Sequence, residues 1–150
     1  MKIAVEDASI QYLDRLYEIE MECFKNEAFT KQQIAQLITA YNSLGLVAKE
    51  NSTIVGFIIA MVNIERKSLT GHILTIDVLP AHRRKGIAQE LLQEIEKMFS
   101  EKGVEKCYLE VREDNIAALN LYQKLRYKKI AKLRKYYGKA NGIYLRKDLT

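Results

Sequence analysis

The chain is short of the residues that punctuate or staple a fold. Proline occurs once and glycine seven times in 150 residues, which excludes collagen-like, linker-rich and disordered classes. Cysteine occurs twice, as Cys23 and Cys107 with no CxxC spacing, so neither a disulfide framework nor a zinc site is expected. His72 and His82 also lack ligand spacing and read as a strand-face residue and a loop residue, so no metal is expected. The longest apolar run, about Val55 to Val62, falls far short of the roughly 20 residues a membrane helix needs. The opening Met-Lys-Ile-Ala-Val-Glu-Asp is no charged-then-apolar signal segment, and the expectation is a cytoplasmic protein without a membrane partner. Acid is scarce at one end. Residues 1–123 carry 14 Lys+Arg against 18 Asp+Glu, whereas residues 124–150 carry 10 against Asp148 alone. The first part is therefore at −4 and the last at +9, a concentrated positive field suited to RNA, an acidic peptide, cofactor phosphates or plain solvation.

What is present is a 48% hydrophobic chain of a length that suits one domain, residues 1–150, with one core. Lys2 to Val5 is a strand candidate. Ser9 caps a helix whose Ile10, Leu13, Leu16, Tyr17, Met21 and Phe24 keep helical spacing. Residues 25–29 break that pattern as a loop, and Thr30 with Gln33 makes a capping box for a second helix. Leu44–Lys49 and Thr53–Glu65 read as strands joined around Asn51-Ser52. Arg66-Lys67-Ser68 forms the next turn. Ile73–Leu79 and Lys106–Arg112 are further strands, each followed by a helix. Lys128–Arg134 and Gly142–Leu149 close the chain, with Tyr136-Tyr137 in the loop between them. The order β-α-α-β-β-β-α-β-α-β-β predicts an α/β fold with a mixed sheet.

The junction of strand and helix at residues 79–89 carries the first chemical signal. Arg83, Arg84, Lys85 and Gly86 stand before a helix whose stripe is Ile87, Leu91, Leu92, Ile95, Met98 and Phe99, with Gly103 as its stop. Cations oppose the positive end of a helix dipole, at about 0.3–1 kcal/mol each when exposed. An anion on the unpaired N–H groups of the first turn removes the conflict, and Gly86 would allow close approach. The spacing fits neither a P-loop nor a dinucleotide fingerprint. The alternative is a solvated basic turn.

The second signal is Glu110, a carboxylate in an otherwise apolar strand, where it needs a task or a partner. By period two it shares a face with Tyr108 and Arg112. The bland reading pairs it with a neighbouring Lys or Arg. On the next helix Asn115 and Tyr122 are seven apart and share a face with Ala118 and Leu119. Such a face suits a polar ligand, or else Asn115 caps the helix and Tyr122 packs in the core.

Arg83-x-x-Gly86-x-Ala88 after an apolar strand resembles the acetyl-CoA pyrophosphate loop of the GNAT superfamily. Leu109-Glu110-Val111-Arg112-x-x-Asn115-x-x-Ala118-x-x-Leu121-Tyr122 is similar to protein N-terminal acetyltransferases, including the ribosomal-protein alanine acetyltransferases. With Lys135-Tyr136-Tyr137 and Tyr144-Leu145-Arg146-Lys147-Asp148-Leu149, the likeness covers roughly residues 44–149 in order. It implies a GNAT-like, largely antiparallel sheet flanked by helices, and acetyl transfer from acetyl-CoA to the α-amino group of a protein N-terminus. By resemblance, main-chain groups of Ile76, Asp77 and Val78 would pair with the pantetheine arm, and Asn115 would bond it. Amides of Arg84, Lys85, Gly86, Ile87, Ala88 and Gln89 would hold the pyrophosphate. Glu110 would be the general base and Tyr122 the acid beside the cofactor sulfur. Glu27, Phe29, Tyr136 and Tyr137 would line the peptide groove, and the basic C-terminal segment would suit ribosome association.

Two positions depart from the pattern. Arg126 stands before Tyr127 where relatives usually have Gly; a positive φ there would cost Arg about 1–2 kcal/mol. The 25–29 loop lacks the Pro-Trp pair of the bacterial alanine acetyltransferases. Rival functions are acetylation of lysine side chains or small amines, and a ribosome- or RNA-associated binding module using the basic tail.

Overall fold

A computed structural model describes residues 3–150. Seven strands, β1 (Ile3–Asp7), β2 (Ser43–Glu50), β3 (Thr53–Glu65), β4 (Ser68–Val78), β5 (Lys106–Arg112), β6 (Lys128–Tyr137) and β7 (Ala140–Asp148), form one sheet. Its spatial order is β1-β2-β3-β4-β5-β7-β6. The helices are α1 (Leu13–Phe24), α2 (Lys31–Thr39), α3 (Ile87–Glu101) and α4 (Ile116–Lys124). This is the element order expected, and every neighbouring pair is antiparallel except β4 with β5. Lys2, the first residue of the expected opening strand, lies outside the described residues.

Burial on both faces explains the unbroken apolar run of β3. Val55, Ile58 and Ala60 join the core under α3, whose Ile87, Leu91, Leu92, Ile95 and Phe99 are all buried. Ile54, Phe57 and Ile59 face Leu16 and Ile19 of α1 and Ile34 of α2. Each such side chain contributes on the order of 1.5–3 kcal/mol by leaving water. Where α3 crosses β4, a Cβ on Gly71 would lie 2.5 Å from the Phe99 ring, so only glycine lets helix and strand meet there.

Local signals set several ends as expected. Thr30 and Gln33 form the capping box, Ser9 accepts from the Gln11 amide, and Gly103 ends α3 at φ +87°. Ser9, however, caps a short 3-10 turn (Ile10–Tyr12) that leads into α1. β4 starts five residues before Ile73, because Arg66 and Lys67, at φ +46° and +71°, complete the turn in two residues. Tyr136 and Tyr137 were expected in a loop, but they end β6, and the turn proper falls at Gly138.

Candidate active-site cleft

The one parallel pairing in the sheet is brief. β4 and β5 match only Thr70, Gly71 and His72 with Lys106, Cys107 and Tyr108. At Leu74 the register of β4 with β3 slips by one residue. Leu74 packs on the α1 side and Thr75 bonds to Glu20 of α1, so two successive residues face one way. A bulge of this kind bends its strand, and beyond it β4 and β5 have no paired residues among those described. The result is a cleft of about 730 Å³ with β4 on one side and β5 and α4 on the other. It leaves the β5-facing main chain of β4 without a strand partner, the arrangement that an extended ligand can complete.

Glu110, Asn115 and Tyr122 all line this cleft. Glu110 is not paired with Lys or Arg, as the bland reading supposed. Its Oε1 lies 2.8 Å from Nε2 of His72, and the two side chains are only 17% and 23% exposed. The His72 ring in turn stacks on Tyr108, with centroids 4.4 Å apart. His72 was assigned no role from sequence; its contact depends on the β4–β5 register, which no local pattern specifies. Tyr122 is buried and edge-on to Tyr127. Burial, with the nearby Tyr137 and Asp77 adding to it, raises its phenol above the usual range, so Oη keeps its proton near neutrality. Asn115 does cap α4: its Oδ1 accepts from the Ala118 amide at 3.2 Å. That engages the acceptor half of the side chain and leaves its NH₂ group to donate into the cleft. Both residues fill the structural role, as cap and as core side chain, and both line the cleft.

At the start of α3, Gly86 sits at φ +82°, and a Cβ there would meet nothing within 4 Å. The glycine is thus required by conformation, and the space before it is open. Ile87, Ala88 and Gln89 form the first turn of the helix. The cations around it are partly neutralised within the protein. Arg83 donates from Nε to the Val78 carbonyl at 2.9 Å, and Lys85 reaches Glu50 at 3.3 Å. Glu50 also meets His82 Nδ1 at 2.7 Å, and the His82 contact, ahead of Lys85, holds its carboxyl below the usual range. Arg84, at φ +64°, has no ion pair among the described residues.

The strand residues Ile76, Asp77 and Val78 divide. Ile76 lines the cleft. The Val78 carbonyl already accepts from Arg83 and from Cys23 Sγ at 3.4 Å, so it is engaged rather than open to a pantetheine arm. Asp77 is 1% exposed, and its side chain turns to Thr75 and Glu20 on the α1 side.

Of the expected groove residues, Glu27, Phe29 and Tyr137 line the cleft and Tyr136 does not. Tyr136 is 53% exposed and packs edge-on against Tyr137, in a part of β6 where the register with β7 is irregular. Arg112 was assigned no role, yet it ties this rim together. It pairs with Glu27, grips Asp114 through Nε at 2.9 Å and Nη2 at 3.0 Å, and lies 5.9 Å from the Tyr137 ring centre. Arg126 takes φ +74° after α4, so the turn is kept although the usual glycine is absent.

Residues 13–127 match the Acetyltransferase (GNAT) family. The chain is 38% identical over 114 residues to an N-alpha-acetyltransferase of Saccharolobus solfataricus, covering 70% of this chain and 68% of that one. It is 30% identical over 138 residues to the alanine N-acetyltransferase of ribosomal protein bS18 from Haemophilus influenzae, covering 86% and 84%. In fold it is similar to Arabidopsis thaliana NAA60 in complex with acetyl-CoA, with a TM-score of 0.87, 18% identity and 98% of each chain covered.

Proposed function

Because the chain belongs to the GNAT family of acetyltransferases, we propose that it acetylates the α-amino group of protein or peptide N-termini, with acetyl-CoA as donor. The whole of residues 1–150 acts as one catalytic domain in this reading. The observation that carries it is that Glu110, held by His72 at 2.8 Å, and Tyr122 line one cleft. Both relatives named above are N-terminal or alanine N-acetyltransferases.

The residues present suit acetyl-CoA. Amides of 84–89 at the head of α3, with open space before Gly86, would hold the pyrophosphate. The unpaired edge of β4 and the Asn115 amide would hold the pantetheine arm. When bound, the cofactor supplies an acetyl thioester. Glu110, with His72 on its Oε1, takes the proton of the incoming amine, directly or through one water. An α-amine has a pKa near 8, so exposing its lone pair at pH 7 costs only about 1.4 kcal/mol; a lysine at about 10.4 is far harder to deprotonate. Tyr122 Oη, kept protonated by burial, would offer a hydrogen bond to the charge developing on the leaving thiol. Glu27, Phe29 and Tyr137 frame the acceptor groove.

The amine chemistry favours chain ends over the rival reading of lysine side chains or small amines. Mass spectrometry of a peptide with a free N-terminus and an internal Lys tests it; modification mainly on the lysine would overturn it. No helix of the described residues is long and apolar enough to cross a membrane. A cytoplasmic site, beside emerging chains, accords with such a substrate. The edge strand β6 exposes Lys128, Lys129, Arg134 and Lys135, a surface suited to ribosomal RNA. Sedimentation with ribosomes that weakens steeply with salt is the expected behaviour.

A further inference from the structure

Two carboxyl groups meet in the core on the acceptor side of the cleft. Glu20 of α1 is 2% exposed and Asp77 of β4 is 1% exposed. The Thr75 hydroxyl lies 2.5 Å from Asp77 Oδ1 and 3.4 Å from Glu20 Oε1. Glu20 Oε2 accepts from the Phe29 amide at 3.0 Å, in the loop between α1 and α2. Asp77 Oδ2 meets no donor. The other polar neighbours are Cys23 of α1 and Arg83 after β4, with Tyr122 of α4 farther off.

Two buried carboxylates in contact cannot both stay ionised. A proton on Asp77 leaves one negative charge in the pair, on Glu20, which accepts from the Phe29 amide. Burial, followed by the nearness and charge of Glu20, holds the Asp77 carboxyl well above the usual range, in keeping with this. Cys23 feels the same environment: burial, with the negative charge of the acid pair adding to it, pushes its thiol up to about 11.

We propose that Glu20 and Asp77 are positioning residues for the acceptor, an acid pair that locks α1, the bulged part of β4 and the Phe29 loop into one rigid wall. The geometry is specific. Glu20 alone bridges all three elements, and Glu20, Thr75 and Phe29 all line the cleft. Asp77 completes the pair from behind. Its strand neighbours Ile76 and Val78 pack on the opposite, α3 side, so the pair acts on the acceptor wall and not on the cofactor wall. Neither residue touches the reacting atoms. The inference rests on the reading that a peptide amine enters this cleft.

The test compares Asp77→Ala with Asp77→Asn, which keeps the oxygen that accepts from Thr75 and, like the protonated acid, carries no charge beside Glu20. Asp77→Ala should raise the peptide KM tenfold or more, with kcat and the acetyl-CoA KM within twofold of wild type. Asp77→Asn should restore the peptide KM to within about threefold. Infrared spectra of the unliganded protein should show a protonated carboxyl band at pH 8 that both variants lose; this readout needs no turnover. If Asp77→Ala does not fold, Thr75→Val removes the bridging hydroxyl and should raise the peptide KM in the same selective way. An unchanged peptide KM, equal losses for both substrates, failure of the Asn variant to rescue, or absence of the band would overturn the proposal. Wild-type acetylation of the peptide, measured first, separates failure of the functional reading from failure of this one.

Discussion

The two walls of the cleft are made of different material. On the side of β4 and α4, the groups on offer are main chain and neutral side chains: an unpaired strand edge, the Asn115 amide and the Tyr122 phenol, with the α3 N-terminus behind Gly86 lying outside the cleft lining. On the side of α1 and the rim, they are acidic, ion-paired or aromatic side chains: Glu20 with Asp77, Glu27 with Arg112, and Tyr137. Backbone groups suit a ligand that never changes, because their geometry is set by the fold and not by any one residue. Side chains suit a partner whose identity varies between relatives, since single substitutions retune them. The difference implies that mutations on the two walls should separate kinetically, one set altering cofactor affinity and the other the acceptor.

The sharpest separation is expected at Gly86. Gly86→Val places a β-branched residue at φ +82°, which costs about 1–2 kcal/mol of stability, and fills the open space before the helix. Acetyl-CoA binding should be lost in a protein that still folds. Calorimetry showing unchanged affinity would break the comparison at its base. Next comes the group that serves both substrates. Glu110→Gln should lower turnover by about 10²–10⁴-fold, the usual range for loss of a general base, with acetyl-CoA affinity little changed. His72→Phe should lose part of that factor by removing the partner 2.8 Å away; near-normal rates in both variants would make the pair structural. Tyr122→Phe should be milder, roughly 10–10²-fold, because a thiolate whose parent pKa is near 8.5 leaves with modest help. The deficit should shrink further with a thioester of a more acidic thiol. The smallest effect lies on neither wall. Arg126→Gly relieves φ +74° and should stabilise the protein by about 1 kcal/mol, net of the entropy glycine adds to the unfolded chain. Thermal unfolding would check this, and kinetics for both substrates should stay as in wild type.

Legibility in the sequence followed how local the controlling interaction was. The capping box at Thr30–Gln33, the stripe of α3 and the bounds of β3 and β5 were readable because each is specified by residues within a few positions. Arg126 was readable as a conformational demand, since the turn after a helix is also local. Tyr136 and Tyr137 were placed in a loop because two tyrosines beside Lys135 give no periodicity; the strand they end is held by pairing with β7, with Tyr137 opposite Ala140. Asp77 was grouped with Ile76 as a main-chain ligand. Its burial against Glu20, 57 positions earlier in the chain, has no local trace. His72 and Arg112 passed without a role for the same reason: their partners, Glu110 and Glu27, sit on other elements.

The sequence by itself determined the order of elements, the apolar stripe of α3 and which residue types could act as base, acid and anion cradle. Periodicity, caps and turn chemistry act over a few residues and survive without knowledge of the partners. Only the tertiary structure decided that β4 and β5 part at the Leu74 bulge, that Glu110 meets a histidine and not Lys or Arg, and that Glu20 and Asp77 share one buried site. Those are matters of register between strands and of packing between distant segments. They follow from burying the whole core at once, a condition that no stretch of the chain imposes alone.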